Sequence, residues 1–581
     1  MPKENPNREI AQLLGEIGEY LEMQRVPFKP RAYIKAAEEI ASLAEGLDRI
    51  YEKEGLKGLR NVPAVGMGIA QKIEEFLKTG RIREHVELKK RTPVNLAALT
   101  AVEGLGPQNV KRLYEELGIR DLAGLEKAAR AGRIRKLAGF GPRSEERILA
   151  GIEFLKRSGG RRLLSFALGE ARGIEEHLRS MPEVSRLAVA GSLRRRRETI
   201  GDIDILVVSR HPRAVMENFV SMSKVVRVQA HGRTKSSVKL ASGLDVDLRV
   251  VPETSYGSAL NYFTGSKDHN VSLRELAMSK GMKLNEYGLF RGRRQVAGRT
   301  EEDLYRALGL AYVEPEMREN AGEIELAKKD KLPSLVGYKD IEGDLQIQTD
   351  WTDGQASIEA MAKAAMAKGL KYIAITDHTQ RLKMTRGLDE KRLLKQMAEI
   401  DRVNRRLGGK IRILKGSECD ILKDGSLDLP DKALGKLEVV GVSVHSYFNL
   451  SREEQTERLL RAMRNPNADI VFHPTGRVIE RRPAYELDMA KLIRGARETG
   501  TVLEVDAYPD RLDLKDEHIR ECVRAGVKLA VDSDAHHPAH LDYLEYGVSQ
   551  ARRGWAERKD VINAWPVEKM LSFLKNGRAR R

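Results

Sequence analysis

Cysteine is almost missing from this sequence, which contains only Cys419 and Cys522 among 581 residues. So few cysteines cannot form a disulfide framework, and they do not have the CxxC spacing of a zinc site. Any metal site must therefore be built from histidine and carboxylate ligands.

Long apolar runs are missing as well, since no stretch of about 18 apolar residues could span a bilayer. The first five residues, MPKEN, also lack the charged-then-apolar pattern of a secretory signal. With 41% hydrophobic and 32% charged residues, the composition is that of a globular protein. We expect a cytoplasmic protein, whose length predicts roughly three to five domains.

Acidic residues are too few to balance the bases in the first half of the chain. Residues 1–300 hold 54 Lys and Arg against 37 Asp and Glu, whereas residues 301–581 hold 48 of each, so the net charge of +17 belongs to the first half. A basic excess on one side indicates a polyanionic partner. Histidine has the opposite bias, because seven of the twelve occur at or after His378. The first half thus resembles a nucleic-acid binder and the second a metal-binding unit.

Three glycine turns in the first half each precede an amphipathic helix. They contain Gly66 and Gly68, Gly104 and Gly106, and Gly139 and Gly141. The pattern resembles the helix-hairpin-helix motif, in which glycine lets backbone N–H groups approach a DNA phosphate without regard to base sequence. The alternative interpretation is a set of helical connectors without a ligand.

From about residue 160, β-branched strands alternate with helices, for example over Ile203–Ser209 and Val246–Val251. Asp202 and Asp204 are two residues apart on the first of these strands, so both carboxylates project from the same face. Such a pair can hold Mg²⁺ ions that activate a hydroxyl and neutralise pyrophosphate. A third carboxylate is expected from Asp245 or Asp247.

Upstream of this pair, Gly191 and Ser192 could surround triphosphate oxygens, with Arg195 adding positive charge. Glycine, serine, arginine and paired carboxylates at this spacing resemble nucleotidyltransferases. Tyr262-Phe263-Thr264-Gly265-Ser266, followed by Asn270 and Arg274, narrows the resemblance to family X, the relatives of DNA polymerase beta, over about residues 8–315.

The family resemblance implies a role for each matching residue. Asp202, Asp204 and Asp247 would be the catalytic Mg²⁺ or Mn²⁺ ligands, Asp247 being preferred over Asp245 because the family has Asp-apolar-Arg there. Tyr262 would crowd the sugar 2′ position, Asn270 would contact the incoming nucleotide and Arg274 the template. The residues that would line the nucleotide are Gly191, Ser192, Arg195, Gly201, Tyr262, Phe263, Gly265 and Asn270.

The same family uses an N-terminal lysine to form a Schiff base with an abasic sugar, and Lys72 lies at the matching place. A basic neighbourhood could lower the pKa of this amine. However, the basic residue that the family has at the position of Gly68 is missing. Lys72 is thus either a 5′-deoxyribose phosphate lyase nucleophile or a phosphate contact.

Residues 341–575 resemble PHP domains, the polymerase and histidinol phosphatase type of metal-dependent phosphoesterase. Most of the matching motifs follow short apolar strands, where loops of a barrel converge. Imidazoles and carboxylates there would bind Mn²⁺ or Zn²⁺ and activate water against a phosphodiester. The candidate ligands are Asp353, His378, Glu418, His445, His473, Asp534 and His536.

The first motif departs from the PHP pattern, because Gln346 and Gln348 stand where those domains have His-x-His. An amide oxygen is a poor ligand for borderline metals. We therefore expect a 3′-to-5′ exonuclease activity, which the resemblance implies, to be weak or lost.

Together these patterns predict a multidomain α and α/β protein with helical DNA-binding domains, a nucleotidyltransferase palm, a small nucleotide-binding subdomain and a C-terminal PHP distorted α/β barrel. The expected segments are 1–80 (lyase-like), 81–158 (two hairpin motifs), 159–255 (palm), 256–316 (nucleotide-binding), 317–340 (linker) and 341–581 (PHP).

The function expected from the resemblance is gap-filling DNA synthesis in repair, including base excision repair, by a monomer acting on gapped or primer-template DNA and deoxynucleoside triphosphates. Two alternatives stay open: a DNA-end binding protein with a structural PHP domain, and a phosphoesterase whose front half only tethers it.

Overall fold

The computed structural model describes residues 6–42, 46–62, 64–100, 102, 105–157 and 161–578. The chain divides into two compact units. One comprises Met1–Gly159 with Glu480–Pro483, and the other comprises Gly160–Ile479 with Ala484–Arg581. No described helix is both long enough and apolar enough to cross a membrane.

The first unit is helical. Helix α1 buries Ile10, Leu14 and Ile17, which recur at helical spacing, against α2. Gly118, in the left-handed conformation, ends helix α7. The helices are α1 (Asn7–Met23), α2 (Lys29–Ser42), α3 (Leu47–Asn61), α4 (Met67–Thr79), α5 (Arg83–Arg91), α6 (Leu96–Thr100), α7 (Pro107–Leu117), α8 (Leu122–Arg130) and α9 (Pro142–Arg157).

The second unit begins with a palm-like sheet ordered β2-β4-β7-β6-β5, in which β4 and β7 are parallel and the other neighbours antiparallel. Its alternating apolar residues, such as Ile203, Ile205 and Val207, pack against α10 and α12. The elements are β1 (Arg162–Leu163), α10 (Leu164–Arg179), β2 (Val184–Val189), α11 (Gly191–Arg194), β3 (Thr199–Ile200), β4 (Asp202–Ser209), α12 (Pro212–Val220), β5 (Val225–His231), β6 (Lys235–Leu240) and β7 (Asp245–Val251).

A small subdomain follows the palm. Its three-stranded antiparallel sheet and its helices share a core that includes Leu273, Leu289 and Tyr305. The elements are α13 (Tyr256–Thr264), α14 (Lys267–Ser279), β8 (Lys283–Asn285), β9 (Gly288–Arg291), β10 (Arg294–Ala297), α15 (Glu301–Ala307) and α16 (Glu323–Lys328).

The last segment is a nearly closed parallel barrel of seven strands in sequential order, β11 to β17. A further parallel bridge joins Ile347 to Ala535, which brings the two ends of the sheet together. The elements are β11 (Gly343–Ile347), α17 (Ile358–Ala367), β12 (Tyr372–Ile375), α18 (Glu390–Leu407), β13 (Arg412–Asp420), α19 (Asp431–Leu434), β14 (Val439–Ser443), α20 (Arg452–Met463), β15 (Ile470–Val471), α21 (Met489–Thr499), β16 (Val502–Asp506), α22 (Asp516–Ala525), β17 (Leu529–Asp532), α23 (Leu544–Arg553) and α24 (Val567–Arg578).

The expected fold class is confirmed: helical N-terminal domains precede α/β domains that end in a barrel. Apolar, β-branched runs in the sequence predict five of the barrel strands, over Lys371–Ile375, Val439–Val444, Ile470–Phe472, Val502–Val505 and Val527–Val531, but not β11 and β13. Both carry polar residues within a buried strand, namely Asp344 and Gln346 in β11 and Glu418 and Asp420 in β13. These polar side chains hid the strands, because a strand buried on both faces is expected to be continuously apolar.

Candidate active sites

The palm brings its carboxylates together through the register of two parallel strands. Asp202 pairs with Asp245 and Asp204 with Asp247, so four carboxylates lie at one end of β4 and β7. Burial, followed by the charges of Asp202 and then Asp247, raises the pKa of Asp204 to about 7. Crowded negative charge of this kind fits hard divalent cations, which prefer carboxylate oxygens.

The two candidates for the third carboxylate have different surroundings. Asp247 accepts a hydrogen bond from Ser237 (2.5 Å) and lies 3.1 Å from Lys235 Nζ. Asp245 lies 2.9 Å from Lys239 Nζ and accepts a hydrogen bond from Gln229. Asp247 is the register partner of Asp204, and its charge is among the causes that raise the pKa of Asp204, after burial and the charge of Asp202.

Gly191 lies so close to Asp204 that there is no room for a side chain at this position. Its φ is +65°, and a Cβ placed on it would lie 2.3 Å from Asp204 Oδ2. The N–H of Ala190 donates to the Asp204 carbonyl (2.8 Å), which fixes the loop against β4. Beside it, the buried Ser192 hydroxyl has no hydrogen-bond partner among the described residues. That hydroxyl therefore has a hydrogen-bonding capacity that no described residue uses.

Two further residues of the expected triphosphate pocket border this loop. Gly201 directly precedes Asp202, and a Cβ there would lie 3.2 Å from the Arg161 guanidinium. The Arg195 guanidinium is 14% exposed, and it donates to the Thr264 carbonyl and to Glu319 Oε1 (3.1 Å). Arg195 thus links the palm loop to the end of the small subdomain.

The remaining expected nucleotide contacts lie on α13 and α14. Tyr262 is 36% exposed, and its ring meets that of Phe263 edge to face. Asn270 is buried and donates to the Tyr262 carbonyl (2.7 Å). Gly265 has a φ of +69° between the two helices, and Arg274 lies one turn beyond Asn270. The amide of Asn270 therefore holds the end of α13 in place.

The glycines of the hairpin motifs lie at helix starts, because α4 follows Gly66, α7 follows Gly106 and α9 follows Gly141. A Cβ at any of these glycines, or at Gly68, would meet no described atom within 4 Å. Internal packing thus does not require glycine at these turns, and their backbone is open to an external phosphate.

The third turn differs, because Gly139 has a φ of +82°. A Cβ there would lie 3.2 Å from the Arg112 guanidinium. The remaining glycine of the three motifs, Gly104, lies outside the described residues.

Lys72 is held by an acidic partner. Its Nζ lies 2.8 Å from Glu84 Oε2 and 5.8 Å from the centre of the Tyr33 ring. Burial opposes the charged form, but hydrogen bonds with Glu84 and Tyr33 outweigh it and raise the pKa of Lys72. This environment opposes the neutral amine that a Schiff base requires.

In the barrel, ligand-type side chains converge at the carboxyl ends of the strands. Two groups have ligand atoms within 4.8 Å of one another: Asp353, His378 and His536, and His378, Glu418 and His445. His473 joins the second group, since its Nε2 lies 2.8 Å from Glu418 Oε1. Asp534 lies 3.8 Å from His536. All seven expected ligands thus lie around one pocket.

The pKa values of the imidazoles in this pocket are shifted in opposite directions. Burial favours their neutral forms, but Glu418 and Asp420 raise the pKa of His445 to about 9, and Asp534 and Asp353 raise that of His536 to about 10. For His473, burial prevails and lowers the pKa to about 4.

Several buried atoms of the pocket have no hydrogen-bond partner among the described residues, including Asp353 Oδ1, His473 Nδ1 and Asp506 Oδ2. Nitrogen and oxygen donors in this arrangement fit a divalent metal cluster.

Neither glutamine of the first motif is exposed. Gln348 donates from Nε2 to Glu418 Oε2 (2.8 Å), and its Oε1 is buried with no hydrogen-bond partner among the described residues. Gln346 is fully buried in β11. The amide of Gln348 therefore donates to the same Glu418 oxygen, Oε2, that lies 3.3 Å from His378 Nδ1.

Sequence reasoning missed four polar residues of this pocket. Asp420 Oδ1 lies 3.2 Å from His445 Nδ1, and Arg511 Nε lies 3.5 Å from Asp506 and 3.8 Å from Asp534. Burial raises the pKa of Glu504 and of Asp506. Alternating acidic and apolar residues over Leu503–Asp506 were the available signal.

Comparison with known proteins finds matches to four parts of the chain. Family models match residues 5–82 (helix-hairpin-helix domain), 96–153 (SAM-like helix-hairpin-helix tandem), 259–319 (DNA polymerase beta thumb) and 344–496 (PHP domain). The chain is 38% identical over 576 residues to the DNA polymerase/3′-5′ exonuclease PolX of Bacillus subtilis (strain 168), an alignment that covers 98% of this chain and 99% of the relative.

Two further relatives match part of the chain. DNA polymerase lambda of Rattus norvegicus is 26% identical over 349 residues, which is 54% of this chain and 56% of the relative. A probable phosphatase of Acetivibrio thermocellus is 32% identical over 189 residues, which is 31% of this chain and 73% of the relative.

The fold and the palm site thus define a DNA polymerase beta-like enzyme fused to a PHP domain. The chain belongs to the PolX family of family X DNA polymerases, as its full-length match shows.

The contact between Gly191 and Asp204 generates a prediction. We expect Gly191→Ala to lower the rate of nucleotide addition about 100-fold. The added methyl group would clash with the Asp204 carboxylate and push it away from its position in the site. Single-turnover primer extension measures the rate. Gly169→Ala, in α10, is the control, because its methyl group meets no described atom and should leave the rate unchanged. Equal rates for both variants would contradict the assignment.

Proposed function

We propose that this DNA polymerase fills short gaps during DNA repair, including base excision repair, by adding templated deoxynucleotides to a 3′ end. The observation that carries the proposal is the placement of Asp202, Asp204 and Asp247 on adjacent parallel strands, near a Ser192 hydroxyl that has no hydrogen-bond partner among the described residues. A binding protein without catalysis has little use for carboxylates crowded in this way, since their mutual repulsion disfavours the charged forms.

Asp202, Asp204 and Asp247 would hold divalent cations, Mg²⁺ or Mn²⁺, which supply charge for the attacking hydroxyl and the leaving pyrophosphate. When Asp247 binds a cation, Lys235 would be displaced from it, since the cation and the Lys235 ammonium compete for the same carboxylate. The Ser192 hydroxyl and the backbone at Gly191 would bind the triphosphate, with Arg195 and Gly201 completing its pocket.

The small subdomain would select the nucleotide. Tyr262, held through its carbonyl by Asn270, would exclude a ribose 2′-hydroxyl, while Phe263 and Gly265 shape the same wall and Arg274 contacts the template. The hairpin glycines would bind duplex phosphates, consistent with their open surroundings. We expect the protein to act as a cytoplasmic monomer.

The PHP domain would hold Mn²⁺ or Zn²⁺ through the seven ligands, with a weak 3′-to-5′ exonuclease activity. Gln348 supports this view, because its amide donates to Glu418 where a histidine would ligate a metal. A DNA-end binding protein with a structural PHP domain and a phosphoesterase of small substrates are the competing functions. Both exclude templated extension, so extension of a primer at a one-nucleotide gap discriminates against them.

The choice between Asp247 and Asp245 gives the sharpest test of the polymerase site. We expect Asp202→Asn, Asp204→Asn and Asp247→Asn to reduce extension by about a thousandfold or more, because each removes a metal ligand. The same change at Asp245 should leave most activity. Gap-filling rates and DNA affinity are measured together, and affinity should survive in all four variants. Loss of extension with Asp245→Asn but not with Asp247→Asn would reverse the assignment.

The glutamines of the first motif generate a second test. We expect Gln346→His combined with Gln348→His to raise exonuclease activity by about a thousandfold, because a restored metal stabilises the transition state by several kcal/mol. Release of label from a 3′-labelled primer with Mn²⁺ measures it.

His536→Ala in both backgrounds is the control, since it should remove the cluster and any digestion. Strong digestion by the unaltered chain that His536→Ala abolishes would contradict the expected weakness.

Lys72 is expected to form little Schiff base with an abasic sugar, because Glu84 stabilises its protonated form. Glu84→Gln should increase the yield of borohydride-trapped adduct, and Lys72→Ala in that background should abolish it. Efficient trapping by the unaltered chain would instead support the lyase assignment.

A further inference from the structure

Helix α23 of the PHP domain lies against the loop that carries the expected triphosphate contacts of the palm. Three ion pairs join α23 to other parts of the second unit: Glu545 with Arg172, Glu545 with Arg196, and Arg553 with Glu319. The first two involve partly exposed side chains, and such pairs contribute little. The third is the most buried.

Arg553 is 2% exposed and joins three parts of the unit. Its Nη2 donates to Asp516 of α22 (2.5 Å), which anchors the guanidinium within the PHP domain. Its Nη1 donates to the backbone carbonyl of Arg195 (2.7 Å) and to Glu319 Oε1 (3.1 Å). One planar group thus connects two PHP helices, the palm loop and the segment between α15 and α16 of the small subdomain.

Arg195 is held from both ends by this arrangement. Arg553 fixes its carbonyl directly, and Glu319, which accepts from Arg553, also accepts from Arg195 Nε at 3.1 Å. The Arg195 guanidinium also donates from Nη1 to the Thr264 carbonyl. Backbone and side chain of Arg195 therefore both depend on Arg553.

Burial makes the geometry of this network strict. A buried charge that loses its partner is strongly destabilised, so each charged hydrogen bond constrains the next. A guanidinium is suited to the task because its planar donors reach several acceptors at once, which an ammonium does not reproduce.

We propose that Arg553 is a positioning residue of the polymerase reaction, through which the PHP domain holds Arg195 in place for the nucleotide triphosphate. The proposal rests on the role of Arg195 in the proposed function. It gives the PHP domain a part in DNA synthesis that does not depend on the metal chemistry of its own pocket.

Arg552 provides a matched control on the same helix. It is 11% exposed and donates to Glu316 (2.7 Å) and to the Val336 carbonyl, but it forms no hydrogen bond or ion pair with Arg195. Both arginines pair with glutamates of the same segment, so Arg552→Met and Arg553→Met remove comparable buried ion pairs.

The test compares steady-state gap filling by the full-length protein across these variants. We expect Arg553→Met to raise the KM for the deoxynucleoside triphosphate about tenfold more than Arg552→Met does, since charge-assisted positioning of Arg195 is lost only in the former. The affinity for gapped DNA should change equally little in both. Glu319→Gln should share the KM effect of Arg553→Met, and Arg553→Lys should restore part of it.

Thermal unfolding of each variant separates a general loss of folding from a positioning effect. If the methionine variants do not fold, Arg553→Lys and Glu319→Gln carry the same comparison with milder changes. Equal nucleotide KM values for the Arg552 and Arg553 variants, or for Glu319→Gln and the unaltered chain, would overturn the proposal. Absence of extension by the unaltered chain would instead overturn the proposed function, and an unchanged KM in Arg195→Lys would reject the role of Arg195 itself.

Discussion

Repulsion between carboxylates crowded at the ends of parallel strands governs both sites of this protein. In the palm, Asp204 faces Asp202 and Asp247, and burial with their charges raises its pKa to about 7. In the barrel, burial raises the pKa of Asp344 to about 7, and the pKa values of Asp506 and Asp532 also lie above their usual range. Parallel strands impose this crowding, because their register fixes which side chains are neighbours. The strand register thus places carboxylates so close together that their charged forms need positive charge nearby. Cations or basic side chains must meet that demand.

Each site meets that demand differently. In the palm, the Lys235 ammonium lies 3.1 Å from Asp247 on a side chain that is 45% exposed, so a bound cation can replace it. In the barrel, Arg511 lies 3.5 Å from Asp506 and 3.8 Å from Asp534, and the raised pKa values of His445 and His536 favour their positively charged forms beside the remaining carboxylates. The barrel pocket can therefore be internally compensated by its own side chains. Such compensation is compatible with a fold that persists even where one metal ligand pair has become glutamine.

Local patterns carried much of the sequence prediction. The spacing of Asp202 and Asp204 was sufficient to predict a shared face, because a two-residue repeat fixes orientation in any strand. The barrel histidines were found because each follows an apolar strand. Strands β11 and β13 were missed because their interior polar residues belong to the pocket, so function obscured the hydrophobic pattern.

Other features could not be read locally at all. Nothing in the sequence around Gly191 indicates that its α-hydrogen faces Asp204, since that contact depends on the packing of α11 against β4. Arg553 and the Arg195 carbonyl are 358 residues apart, and an arginine near a helix end is ordinarily a solvent-exposed residue. Only the folded chain distinguishes it from its neighbour Arg552.

The exchange of histidine for glutamine at position 348 illustrates how structure and catalysis can separate in the PHP domain. An imidazole and an amide both offer one N–H donor to a carboxylate, so Gln348 can keep Glu418 hydrogen-bonded and buried. The amide lacks the nitrogen lone pair that a borderline metal prefers. Gln348 therefore keeps a direct hydrogen bond between the end of β11 and β13, whereas we expect its amide to bind a metal more weakly than an imidazole would. A barrel kept intact in this way still presents α23, and with it Arg553, to the palm, so the domain can retain a structural role that its own chemistry does not require.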